Sequence, residues 1–225
     1  MIEIIPAIMP KSIEDLEAQV RRVERLVDTV QIDVMDGVFV PSVDWPYLSG
    51  ESEEVFNDMV EGDFLFKHIG NVQFEIDLMV ANPFLHAPDW ALAGAHRIIF
   101  HIESLEDNGA IFDELPKDGL KEIGLALNVD TDNEAVEQYI HQIDFVQCMG
   151  IAKIGYQGQT FDERVIDKLK DFRRRFPELV LSVDGGVSIE TASKLVKAGA
   201  NRLVSGSAIW ENGDIIQTIK QLQQL

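Results

Sequence analysis

Residues 188–205, Ser-Ile-Glu-Thr-Ala-Ser-Lys-Leu-Val-Lys-Ala-Gly-Ala-Asn-Arg-Leu-Val-Ser, decide the fold of this chain. A helical pattern over 188–198 runs into the turn Ala198-Gly199-Ala200 and then into a short strand-like run, Asn201–Ser205. The same turn, Ala93-Gly94-Ala95, joins a helical pattern over 84–94 to the run Arg97–Ile102, so the helix–turn–strand unit repeats.

Outward from these two units the alternation continues. Strand-like runs occur at Ile2–Ile8, Val30–Met35, Phe74–Val80, Glu122–Asn128, Asp144–Met149 and Leu179–Val183. Helical patterns lie at 12–26, 105–115, 132–141, 161–175 and about 213–224, the first capped by Ser12 with Glu14 and Asp15 in its first turn. Eight strands, each followed by a helix, are the count of a closed parallel barrel. An open doubly wound sheet is the alternative, but no Gly-x-Gly-x-x-Gly follows the first strand. The expectation is an α/β protein, a single (β/α)8 TIM barrel spanning 1–225. Residues 43–72 are less regular, with Trp45-Pro46, a helical pattern at 51–60 and breaks at Gly62 and Gly70, and are expected to form an insertion or lid.

Composition narrows the function. A hydrophobic content of 46% over 225 residues can fill one large core. Thirty-nine acidic against nineteen basic side chains give a net charge of −20, which opposes nucleic acid and anionic membranes as partners. No run of eighteen apolar residues and no basic leader is present, and Cys148 is the single cysteine, so a cytoplasmic protein is expected.

Barrel enzymes carry their reactive groups at the C-terminal ends of the strands. There strand 2 delivers Asp33 and Asp36, strand 3 Asp77, strand 4 His101 and Glu103, and strand 7 Asp184. Acids at buried strand ends are costly unless a cation, a proton or hydrogen bonds meet them. The alternatives are structural: Asp36-Gly37 and Asp184-Gly185-Gly186 as turns, Asp77 as a solvated strand end. Glycine-bearing loops after strands 6, 7 and 8, with Gly155, Gly158, Gly185, Gly186, Gly206 and then Ser207, let backbone amides converge on one anion. No Arg or Lys in these loops matches a phosphate clamp.

The stretches Asp33-Val-Met-Asp-Gly-Val-Phe-Val-Pro41, Asp77-Leu-Met-Val80 with Asn82-Pro83, Phe100-His-Ile-Glu103, Gly155–Phe161, Val183-Asp-Gly-Gly-Val187 and Val204-Ser-Gly-Ser-Ala-Ile209 together resemble the ribulose-phosphate 3-epimerases. The resemblance implies epimerisation at C3 of a phosphorylated ketose such as ribulose 5-phosphate. Asp33 and Asp184 would act as acid and base through an enediolate held by a divalent metal. It also implies that Met35, Met79 and Met149 line the site; ordinary core filling is the alternative for each. From its own place at the end of strand 4, His101 is expected to support the substrate, with a satisfied polar core residue as the alternative.

The departures from that pattern are specific. Gln31 and Asp77 stand where the family carries metal-binding histidines, Ala7 where it carries a serine, and Gln157 where glycine is usual. A metal set of Asp33, Asp77, Asp184 and Gln31 is all oxygen, which favours Mn²⁺ or Mg²⁺ over Zn²⁺. The rival neutralising group is Lys153, in the loop after strand 6. Two other readings stay open: a phosphosugar-binding barrel without catalysis, and another enediolate reaction such as decarboxylation or aldol cleavage. A homo-oligomer is compatible with either.

Overall fold

Eight parallel strands close on themselves in chain order in a computed structural model of the chain, which describes residues 2–61, 66–105, 112, 115–116, 119–211 and 213–225. They are β1 (Glu3–Ile8), β2 (Thr29–Met35), β3 (Gln73–Met79), β4 (Arg97–His101), β5 (Glu122–Leu127), β6 (Phe145–Met149), β7 (Val180–Asp184) and β8 (Arg202–Ser205). β1 is hydrogen-bonded on both sides, to β2 through Ala7↔Gln31 and to β8 through Glu3↔Arg202, so the sheet has no edge and the open alternative is excluded.

The helices on the outside are α1 (Ile13–Val23), α2 (Gly50–Glu61), α3 (Pro83–Leu92), α4 (Glu134–Glu137), α5 (Arg164–Arg175), α6 (Ile189–Ala198), α7 (Ser207–Trp210) and α8 (Ile215–Leu222). Their ends follow from local chemistry. The Ser12 hydroxyl accepts the Asp15 N–H at 3.2 Å, and Arg21 and Arg22 lie in the last turn of α1. At α6, the Ser188 hydroxyl accepts from the Glu190 N–H while the Ser188 N–H donates to Thr191 Oγ1 at 2.9 Å. Gly199 then ends α6 at φ +117°, a conformation open to glycine and strained for other residues. No helix among the described residues is long and apolar enough to cross a membrane.

Two expected elements differ. The pattern at 132–141 is an α-helix only over α4, because its flanking bonds run three residues back, Val136 to Asn133, Tyr139 to Val136 and Gln142 to Tyr139, tightening the coil. The stretch 43–72, expected to be an insertion, supplies the second crossover helix. Phe56 of α2 meets Trp90 of α3 with ring centroids 4.5 Å apart, and Trp45 stands edge-on to both. These aromatic side chains are buried, and each contributes roughly 2–3 kcal/mol by leaving water. Residues 62–65 of that stretch, and most of the expected helix at 105–115, lie outside the described residues.

Period-two alternation separates two environments. Outward positions such as Ile32, Val34, Ile76, Leu78, Ile98 and Phe100 join the main core under the helices. Inward positions are unusually polar: Gln31 and Asp33 on β2, Glu75 and Asp77 on β3, Arg97 and His101 on β4, Gln147 on β6, Ser182 and Asp184 on β7. At the barrel floor Arg97 Nη1 bridges Glu3 at 3.0 Å and Glu75 at 3.3 Å, while Arg202 reaches Glu3 at 3.0 Å and Glu122 at 2.7 Å. Burial nevertheless outweighs Arg97 at Glu75, whose Oε1 accepts no hydrogen bond, and its pKa rises to about 7.

Candidate active site

Register places the acids. Asp33 pairs with Asp77 across β2 and β3, and Asp184 ends β7 beside Met149. One carboxylate oxygen from each of Asp33, Asp77 and Asp184 lies within 4.8 Å of the others. All three acids are almost completely buried. Burial, then the Asp184 and Asp77 charges, hold the Asp33 carboxyl well above the usual range, and burial with Asp77 pushes Asp184 to about 7.

Each acid is held by a neighbour. Gln31 donates its NH₂ to Asp33 Oδ1 at 2.8 Å and to Asp184 Oδ2 at 3.0 Å, leaving its own Oε1 buried and without a partner. A half-turn of that carboxamide would exchange the two ends. His101 Nε2 lies 3.0 Å from Asp77 Oδ1, and Gln147 donates to Asp77 Oδ2 at 3.1 Å. Ser182 in turn donates to Gln147 Oε1 at 3.0 Å. Burial alone would lower the His101 pKa, but the Asp77 carboxylate beside it raises it overall.

A cavity of about 360 Å³ opens onto this cluster. Asp33, Asp184, Met79, Met149 and every glycine expected in the anion loops line it, with Ser207. Gly185 and Gly186 take φ of +93° and +66°, and a Cβ on Gly186 would fall 2.8 Å from the Phe161 backbone, so a side chain at either position would be strained. No Lys, Arg or His among the described residues lines it; Glu211 does.

Four residues expected at the site stand behind this wall. Gln31 and Asp77 touch the lining acids from beneath, Met35 packs against Val40 and Met79 in a buried cluster, and His101 sits against Asp77 away from the cavity. Asp36 is structural, as its turn reading allowed: Oδ1 accepts from Val38 and Phe39, and Oδ2 from Ala81 at 2.8 Å, tying the β2 loop to the β3 loop. Glu103 likewise accepts the Asn128 N–H at 2.8 Å. Lys153 is exposed in an adjoining groove with Phe39, Pro41 and Asn128, which shares Tyr156 and Gln159 with the cavity, and makes no ion pair with the acids.

The sequence reading missed Gln147, Ser182 and Asp44. The first two were accessible by counting back in twos from Met149 and Asp184 along their strands. Asp44 accepts the Met35 N–H at 2.7 Å while its own N–H donates to the Met35 carbonyl at 3.2 Å, so it brackets the end of β2. Nothing in its loop sequence marks that contact.

Known proteins resemble this chain over nearly its whole length. A profile of the ribulose-phosphate 3 epimerase family matches residues 3–210. The ribulose-phosphate 3-epimerase of Bacillus subtilis is 30% identical, with 99% of each chain covered. The chloroplastic ribulose-5-phosphate-3-epimerase of Arabidopsis thaliana is 30% identical over 99% of this chain and 76% of its own. Among solved structures, the 3-hexulose-6-phosphate synthase of Salmonella typhimurium shares the fold at a TM-score of 0.70, with 14% identity and 99% and 97% coverage. The chain belongs to the ribulose-phosphate 3-epimerase family.

Proposed function

We propose that the protein epimerises C3 of a phosphorylated ketopentose, interconverting ribulose 5-phosphate and xylulose 5-phosphate. The observation that carries this is the pair Asp33 and Asp184, from different strands, exposed to one cavity and joined by a single Gln31 amide. Burial raises both carboxyls, with the Asp184 and Asp77 charges adding at Asp33 and the Asp77 charge at Asp184, so one can carry a proton while the other is ionised. One member is then a base and the other an acid, as inversion at one carbon requires: a proton leaves C3 from one face and another returns to the opposite face. The amides around Gly158, Gly186, Gly206 and Ser207 hold the phosphate without a basic side chain.

The three clustered acids fit a divalent cation, as does the unpartnered Gln31 Oε1, which one carboxamide turn brings to face them. An all-oxygen donor set favours Mn²⁺ or Mg²⁺. When bound, such an ion supplies Lewis-acid stabilisation of negative charge on the substrate oxygen. Asp77, steadied by His101 and Gln147, would anchor it from below the cavity wall.

The test is a panel of ketose phosphates incubated in D₂O, followed for deuterium at C3 and for product stereochemistry. Conversion of ribulose 5-phosphate with C3 labelling is expected. Binding with no labelling of any substrate favours the non-catalytic reading, and loss of carbon favours a decarboxylase or aldolase.

A further inference from the structure

We propose that Gln157 is a specificity-determining residue that reads the hydroxyl on C4 of the substrate, between the phosphate and the reacting carbon; this rests on the ketopentose-phosphate reading of the cavity. Gln157 lies in the loop between β6 and α5, and its half-buried side chain crosses to the opposite wall. Nε2 lies 3.4 Å from the Ala7 carbonyl oxygen, which already accepts the Trp210 indole N–H at 2.6 Å. The carboxamide rests on the backbone of Gly206: a Cβ there would fall 2.8 Å from both Cδ and Nε2 and 3.2 Å from Oε1. A side chain at 206 would therefore evict it.

That resting place is intermediate between the two working ends of the cavity. Ala7 is in register with Gln31, whose amide binds Asp33 and Asp184, whereas Gly206 and Ser207 belong to the anion loops. Ala7 and Val204, which pack together, add apolar side chains to the lining of the cavity. The Thr191 hydroxyl, which also lines the cavity, is committed, donating to the Gly186 carbonyl at 2.8 Å and accepting from the Ser188 N–H. Gln157 keeps one long contact for its NH₂ and none for its Oε1, so both ends are available to a hydroxyl, which donates and accepts at once. With phosphate on C5 at the amides and C3 at the acids, the C4 hydroxyl is the group left facing it.

The experiment compares wild type with Gln157→Met, which keeps length and loses hydrogen bonding, on ribulose 5-phosphate and on its 4-deoxy analogue. The proposal predicts kcat/KM for ribulose 5-phosphate lower by roughly three- to tenfold in the variant, the effect of one neutral hydrogen bond. The 4-deoxy analogue should be processed equally by both proteins. Equal losses on both substrates would make Gln157 a loop anchor and overturn the proposal, as would no loss on either. A wild-type protein that labels C3 of neither compound overturns the proposal together with the epimerase reading beneath it, and is recognised because wild type itself fails.

Discussion

Gln147 donates its amide to Asp77 Oδ2 at 3.1 Å, so the acid deepest in the cluster is fixed by a neutral side chain from across the barrel. Ser182 holds the other end of that amide, and His101 holds the other Asp77 oxygen. Removing Gln147 leaves a buried carboxylate oxygen and a buried hydroxyl without their partners. Gln147→Leu is expected to lose about 1–3 kcal/mol of stability in urea titrations and to reduce turnover, whereas Ser182→Ala should cost less on both counts. Equal stability of wild type and Gln147→Leu would show that the chain does not fix Asp77.

Glu75 gives a pH signature of the barrel floor. Its pKa is raised from about 4.5 in the unfolded chain to about 7 in the fold, so the native state keeps a proton that the unfolded state releases. Its contribution to stability is complete below about 4.5 and is lost as pH rises through about 7. Glu75→Gln removes this dependence. Between pH 5 and 8 the wild type should lose up to roughly 3 kcal/mol more than the variant. Parallel pH profiles would mean that Arg97 keeps Glu75 ionised throughout.

Asp44 behaves as a neutral acid at pH 7, since burial raises its pKa to about 8. Asn is then a near-isostere that still accepts the Met35 N–H, and Asp44→Asn should keep turnover within about twofold. Asp44→Leu abandons that bond and should lower turnover and cost about 1–3 kcal/mol. Steady-state kinetics and unfolding of the two variants at pH 7 check this.

How far the sequence carried the account depends on what each signal encodes. Alternating apolar runs located all eight strands, because the outward face must be apolar wherever a helix covers it. The inward face obeys no such rule. The place of Asp33 and Asp184 in the cavity lining was legible from their position at strand ends, but Gln147 and Ser182 look like ordinary strand residues until β6 and β7 are paired. Asp36 shows the converse: like Asp33 it stands at the C-terminal end of β2, yet three backbone N–H groups claim it. Residues 43–72 looked irregular because the helical face of α2 is short, with Phe56 and Met59 buried.

Lys153 tests the question of what neutralises the acids. Its exposed position, without an ion pair to the acids, predicts that Lys153→Met retains turnover within a fewfold and leaves the metal content of protein purified without chelator unchanged. Loss of activity with no metal in the wild type would return the lysine to the site.

The central claim is that Asp33 and Asp184 move protons at C3 as a pair. Stereochemical conversion of ribulose 5-phosphate and deuterium entry at C3 in D₂O, measured together for wild type, Asp33→Asn and Asp184→Asn, tests it most directly. Net epimerisation should fall by at least about 10²- to 10⁴-fold in both variants, with exchange from one face surviving in one of them. Near-wild-type conversion by both variants would contradict the account.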